Sequence, residues 1–110
     1  GLPVRNEKEA EIAAKFLNEL GVKTPIITMG GQGAFLHEHG LIPAFNVGEV
    51  VETTGAGDAF NGGFAVALSE GKTALEAVKF GCATASISVT RPGTAPSMPA
   101  RDEVEKVLII

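Results

Sequence analysis

The chain has 110 residues, a formal net charge of −4 and 45% apolar residues, with Gly 14 and neither Trp nor Tyr. That suffices for the core of one modest domain, and the small residues suit tight turns and close packing. The acidic balance argues against nucleic acid, no basic amphipathic helix points to a membrane, and no apolar run approaches the ~20 residues of a membrane span.

The chain opens on Gly1-Leu2-Pro3-Val4-Arg5 without an initiator Met. This reads as a loop, not a signal or transit peptide, and the expectation is a piece of something larger. Asn6-Glu7-Lys8-Glu9 then carries a helix-start signature, a capping residue with Glu three positions on. Ala10, Ala13, Ala14, Leu17 and Leu20 recur at helical spacing, Ile12 and Phe16 widen the stripe, and Gly21 ends it. Pro25-Ile26-Ile27-Thr28-Met29 is short and apolar, as in a buried strand. Gly30-Gly31-Gln32-Gly33 is a turn needing unusual backbone angles. Ala34-Phe35-Leu36-His37 returns as a strand, His39-Gly40 turns the chain, and a third extended segment is predicted from Phe45 to Glu52.

The run 53–58 leads straight into a helix with Phe60, Phe64, Ala67 and Leu68 on one face and Gly71 at its end. Thr73-Ala74-Leu75-Glu76 is a second capping box, opening a helix through Ala77, Val78, Phe80, Gly81, Ala85 and Val89. Residues 92–99 form a loop, and a last helix begins near Pro99. The order is helix, three strands, three helices: an α/β unit with a compact helical end. The single cysteine, Cys82, cannot form an internal disulfide and reads as a small buried side chain. It fits a reducing compartment, so a cytoplasmic protein is expected.

Three glycine-rich places compete for chemistry. Gly71-Lys72-Thr73 imitates the tail of a P-loop, but the glycine required five residues earlier is Val66, so it reads as a helix stop and a new cap. Gly55-Ala56-Gly57 has Phe60 where a dinucleotide-binding turn needs its third glycine. Gly55-Ala56-Gly57-Asp58 has its own rationale. A helix N-terminus presents unpaired N–H groups and the positive end of its dipole, and residues without bulky side chains let a phosphate approach them. Such a turn stabilises charge on a phosphoryl group in flight, and Asp58 at its mouth can orient an attacking hydroxyl and accept its proton late. The plainer alternative is that Asp58 caps the helix and the glycines make a turn.

The whole run Val50-Val51-Glu52-Thr53-Thr54-Gly55-Ala56-Gly57-Asp58-Ala59-Phe60-Asn61-Gly62-Gly63 resembles the signature of the ribokinase family of sugar kinases. Thr28-Met29-Gly30-Gly31-Gln32-Gly33 resembles the family's strand and turn beside the nucleotide. The stretch from Thr90 to Pro99 resembles its monovalent-cation loop. The resemblance spans Gly1 to Ile110 and implies the C-terminal, nucleotide-binding part (residues 1–110) of a three-layer α/β/α kinase.

It further implies ATP-dependent phosphorylation of a sugar hydroxyl, ribose above all, with Mg²⁺ and a K⁺-like ion. Asp58 would be the base, with Gly55, Ala56 and Gly57 as the anion hole. Thr28, Gly30, Gly31, Gln32 and Gly33 would border ATP, with Gly57 and Asp58 at its phosphates and Cys82 near the adenine. The cation would be held by carbonyls near Thr54, Ser88, Arg91 and Gly93, the Ser97 hydroxyl and Glu52, where the family more often has Asp. The sugar grip, an Asn-x-x-Glu element and a dimer-forming lid belong to an N-terminal half outside these residues, so a homodimer is expected of the longer protein and little activity of this piece. A fructokinase, ketodeoxygluconate kinase or nucleoside kinase stands within the same class, and a non-catalytic nucleotide-sensing module in another. His37 and His39 read as exposed hairpin residues, and Asp102-Glu103-Val104-Glu105 as the solvated face of the last helix.

Overall fold

The computed structural model describes residues 6–53, 55–91 and 101–108. Helix α1 (Glu7–Glu19) starts where the Asn6 side chain accepts the Glu9 N–H at 2.9 Å, as its capping signature requires. Three short strands follow: β1 (Ile26–Thr28), β2 (Gly33–Leu36) and β3 (Gly40–Pro43), with a 3₁₀ turn at Gly30–Gln32 between the first two. They form an antiparallel sheet in the order β1-β2-β3. Ile27 stands opposite Phe35, and Ala34 opposite Ile42.

Two-residue alternation along β2 sorts the layers. Ala34 and Leu36 face a core shared with Ile42, Phe60, Val78 and Cys82, whereas Phe35 joins Met29, Ala10 and Ala14 on the other side. Thus α1 covers one face, and α2 (Ala56–Ser69) with α3 (Ala74–Ser88) covers the other. Helix α4 (Arg101–Leu108) seats Val104 and Val107 against Ala83 and Ile87. This is part of a three-layer α/β/α arrangement, as expected.

Helix α3 begins with the reciprocal capping box: Thr73 Oγ1 accepts the Glu76 N–H at 3.2 Å, and Glu76 accepts the Thr73 N–H at 3.0 Å. Close approach of α2 and α3 depends on two glycines. A Cβ on Gly63 would fall 2.4 Å from Thr84 Oγ1, and one on Gly81 would fall 2.9 Å from the Phe60 ring.

Three details differ from the sequence reading. The third strand is Gly40–Pro43; residues 45–52 join no ladder and run along α3 instead. Ile12, Phe16 and Leu20 are exposed, because the three alanines alone fill the contact with the sheet. Leu68 is also outside the core, where Gly63 and Ala67 take the buried positions of α2.

Candidate active site

The turn before α2 is made by local backbone geometry. Gly55 sits in the left-handed region (φ 88°, ψ −1°) as N-cap, a conformation that side chains disfavour. The Ala56 N–H closes back on the Thr53 carbonyl at 3.1 Å, and the Gly55 carbonyl accepts the Ala59 N–H at 2.9 Å. Its chain neighbours and its own helix backbone aside, no described atom lies within 4 Å of where a Cβ on Gly57 would stand, so the described residues leave room beside the first turn. Asp58, in the first turn, is exposed while its neighbours Ala59 and Phe60 are buried. Burial of that adjacent pair against α3 fixes the direction in which the carboxylate projects.

The approach to this turn is seated on the last turns of α3. The Phe45 N–H donates to Ser86 Oγ at 3.0 Å, and Gly48 lies against the Thr90 methyl. The Val51 and Glu52 N–H groups both donate to the Val89 carbonyl, at 2.7 and 3.1 Å. Val89 is the C-cap of α3, so its carbonyl is one of those a helix end leaves without an internal partner. Two residues beyond it, the Arg91 guanidinium forms a two-pronged ion pair with Glu103 of α4, and its Nη1 lies 3.4 Å from Glu103 Oε1. A second cluster places Arg101 against Glu70, against Glu105 at 2.8 Å, and 5.7 Å from the Phe80 ring centroid. These pairings hold Glu70 below the usual carboxylate range and raise Arg101 further. Glu103 and Glu105 are therefore ion-pair partners, not simply solvated acids.

The Gly30–Gln32 turn is closed by Met29 N–H to the Gly33 carbonyl (2.8 Å) and Gln32 N–H to the Met29 carbonyl (3.1 Å). Thr28, Gly30, Gly31 and Gln32 are exposed. Gly33 is constrained: its φ is +116°, and a Cβ there would fall 2.1 Å from the Ile42 carbonyl oxygen. The Gln32 carbonyl accepts the Ala44 N–H at 3.3 Å. This turn and the approach to Gly55 consequently leave from the same end of the sheet.

Cys82 is 3% exposed, inside the core. Its Sγ lies 3.9 Å from the Ile42 carbonyl, and burial pushes the thiol up to about 11, partly offset by a backbone hydrogen bond from Ala34. Of the predicted cation-site residues, Glu52 is half-buried. Ser88 is buried, its Oγ donates to the Ala85 carbonyl at 3.1 Å, and its own carbonyl accepts the Arg91 N–H at 3.1 Å. Thr54, Gly93 and Ser97 lie outside the described residues. His37 and His39 flank Glu38 in the β2–β3 turn, and no cluster of three or more metal-ligating side chains occurs among the described residues. One concavity lies beside α1, between Glu11, Lys15 and His37; another is lined by Ile42, Phe45, Lys79 and Leu108. Asp58 lines neither. Nothing in the residue order signalled the pairing of Arg91 with Glu103, or Val89 as a seat for residues 51 and 52, since both arise across separate elements.

A left-handed glycine opening a helix, with an exposed carboxylate in its first turn, is an arrangement able to receive an anion at the helix N-terminus. Residues 2–101 match the family model described as pfkB family carbohydrate kinase, and the chain belongs to that family. It is 42% identical over 111 residues to a ribokinase of Haemophilus influenzae, covering 98% of this chain and 36% of that protein. Its structure is similar to that of Thermotoga maritima ribokinase (TM-score 0.83, 52% identity, 91% of this chain and 34% of that one). It is also similar to Arabidopsis thaliana ribokinase complexed with ribose and ATP (TM-score 0.87, 37% identity, 98% of this chain and 36% of that one). The chain thus spans about a third of the length of the relatives it matches.

Proposed function

We propose that residues 1–110 are the C-terminal, nucleotide-binding part of a kinase that transfers the γ-phosphoryl group of ATP to a sugar hydroxyl, D-ribose yielding ribose 5-phosphate. The observation that carries this reading is the turn Gly55–Asp58, an open helix N-terminus with a carboxylate beside it, in a chain of the carbohydrate kinase family. Ribose as the acceptor is supported by the ribokinases among its relatives.

In this mechanism Asp58 orients the acceptor hydroxyl and takes its proton late, so a weak base suffices. The N–H groups at the start of α2 would face the oxygens on which charge accumulates, with Ala56 held in the turn by its bond to the Thr53 carbonyl. Helix α2 adds its positive end to the same place. The run from Thr28 to Gly33, exposed at Thr28 and Gly30–Gln32, borders the nucleotide at the sheet end from which residues 44–52 depart. Cys82 serves as core beneath that region, not as a polar reader of the base.

No group of three or more metal-ligating side chains occurs among the described residues, and Mg²⁺ would arrive on the nucleotide phosphates. A K⁺-like ion would be held by oxygens near Glu52, Thr54, Ser88, Arg91, Gly93 and Ser97, and its charge would reinforce the adjacent anion hole. The longer protein is read as a cytoplasmic homodimer whose N-terminal half grips the sugar.

The test is Asp58→Asn in the full-length enzyme. Turnover should fall about 10²–10⁴-fold, the usual worth of a positioned base, while ATP binding measured by calorimetry stays within a few-fold. Unchanged turnover would remove Asp58 from the mechanism. A substrate panel of ribose, fructose, ketodeoxygluconate and nucleosides then ranks the acceptors.

A further inference from the structure

The catalytic turn has a mechanical support that extends beyond its own residues. Among the described residues, several anchors of the segment leading into it lie on one short stretch of α3 and its cap. Phe45 is held by Ser86, Gly48 rests on Thr90, and Val51 and Glu52 both bond to the Val89 carbonyl. Moving that stretch therefore moves residues 51 and 52, and with them the turn that begins immediately afterwards. The side chain that leaves this stretch, Arg91, is gripped by both carboxylate oxygens of Glu103, with the two side chains 33% and 38% exposed. Glu103 itself is fixed by its helix, because the next residue, Val104, is 1% exposed and packs against Ile87 and Ala83. A fork-to-fork arginine–carboxylate pair fixes direction as well as distance.

We propose that Glu103 is a positioning residue for phosphoryl transfer: through Arg91 it holds the C-terminal end of α3, and hence the seat of residues 51 and 52, in the register that aims Asp58. The proposal rests on the reading of Asp58 as the base, but it concerns a different element of the fold. The pair Arg101–Glu70 provides an internal contrast. It also ties α4 to the body, yet Glu70 caps the far end of α2 from Asp58.

The experiment compares Glu103→Gln, Glu70→Gln and the exchange variant Arg91→Glu/Glu103→Arg in the full-length enzyme, each checked for folding by thermal melting. Glu103→Gln should lower kcat roughly 3- to 10-fold with the KM for sugar and ATP within about twofold, since misaiming a base affects the chemical step. Hydrogen exchange at the Val51 and Glu52 amides should accelerate in the same variant, and Glu70→Gln should leave both readouts at the parent values. The exchange variant should recover kcat to within about twofold of the parent by restoring the pair. An unchanged kcat in Glu103→Gln, an equal fall in Glu70→Gln, or no recovery on exchange would overturn the proposal. If Asp58→Asn is inactive while Glu103→Gln is fully active, only the positioning role fails. If Asp58→Asn is active, the catalytic reading fails and the positioning role falls with it.

Discussion

Gly33 and Cys82 show how individual residues bind the Gly30–Gln32 turn and the strands beside it to the core. At Gly33 a methyl group would meet backbone on two sides, 2.1 Å from the Ile42 oxygen and 2.7 Å from the Ala44 nitrogen, at a φ of +116°. Neither atom belongs to a flexible side chain, so Gly33→Ala must displace β3 or the turn. A loss of about 2–4 kcal/mol is expected, read from the denaturant midpoint of the full-length protein. Cys82 is predicted to resist modification: a thiol reagent at pH 8 should leave it unreacted in the native state and label it on unfolding. Its folded value of about 11 lies above the ordinary 9.0. The native state therefore keeps a proton that the unfolded chain releases first. The associated stability is full below about pH 9 and is lost as pH rises toward about 11, by on the order of 2 kcal/mol. Comparing the alkaline stability slopes of the parent and Cys82→Ala checks this.

Among the elements, α3 does most to organise the molecule. Its N-terminal end is defined by a reciprocal capping box, its middle admits Phe60 through Gly81, and its C-terminal end seats the approach to the Gly55–Asp58 turn. Hydrogen bonds to Thr73 keep the Glu76 carboxyl below its usual range, consistent with a charged partner in the box. Thr73→Ala removes one half of that box and should cost about 1 kcal/mol, visible as a lower thermal midpoint. Because this end of α3 is remote from Val89 along the helix, kcat at assay temperature should stay near the parent value. The Asn6 cap of α1 and the capping box of α3 were legible in the residue order because each acts within one turn of one helix. The third strand was misplaced because Val47, Val50 and Val51 look like a strand, whereas the ladder goes to Gly40–Pro43, which stands next to β2 across a tight turn.

For the whole molecule, the distribution of apolar surface matters most. Ile12, Phe16 and Leu20 form an i, i+4, i+8 stripe on α1 at 55%, 52% and 68% exposure. Val47, Val50, Val51 and Val66 are exposed as well. Contiguous apolar surface of this kind promotes association when uncovered. The isolated 110-residue chain is therefore expected to self-associate on size exclusion, at concentrations where the full-length enzyme shows a single defined species. Its turnover should lie at least about 10³-fold below that enzyme, because positioning both substrates supplies much of the catalysis. Ribose phosphorylation by the isolated chain at an ordinary enzymic rate would contradict this.

The residue order by itself determined the helix starts, the glycine turns and the string from Glu52 to Asp58, because those features depend on spacing within a few residues. It also identified the carbohydrate kinase family, since a run of that length combines backbone needs with chemistry that few other sites share. Only the tertiary structure decided which face of α1 is covered and where the third strand lies. It alone revealed that residues 51 and 52, which lead to the Gly55–Asp58 turn, hang from the end of α3 and that Arg91 meets Glu103. Those outcomes depend on which groups compete for the same space and the same unpaired carbonyl, and that competition exists only once the elements have packed.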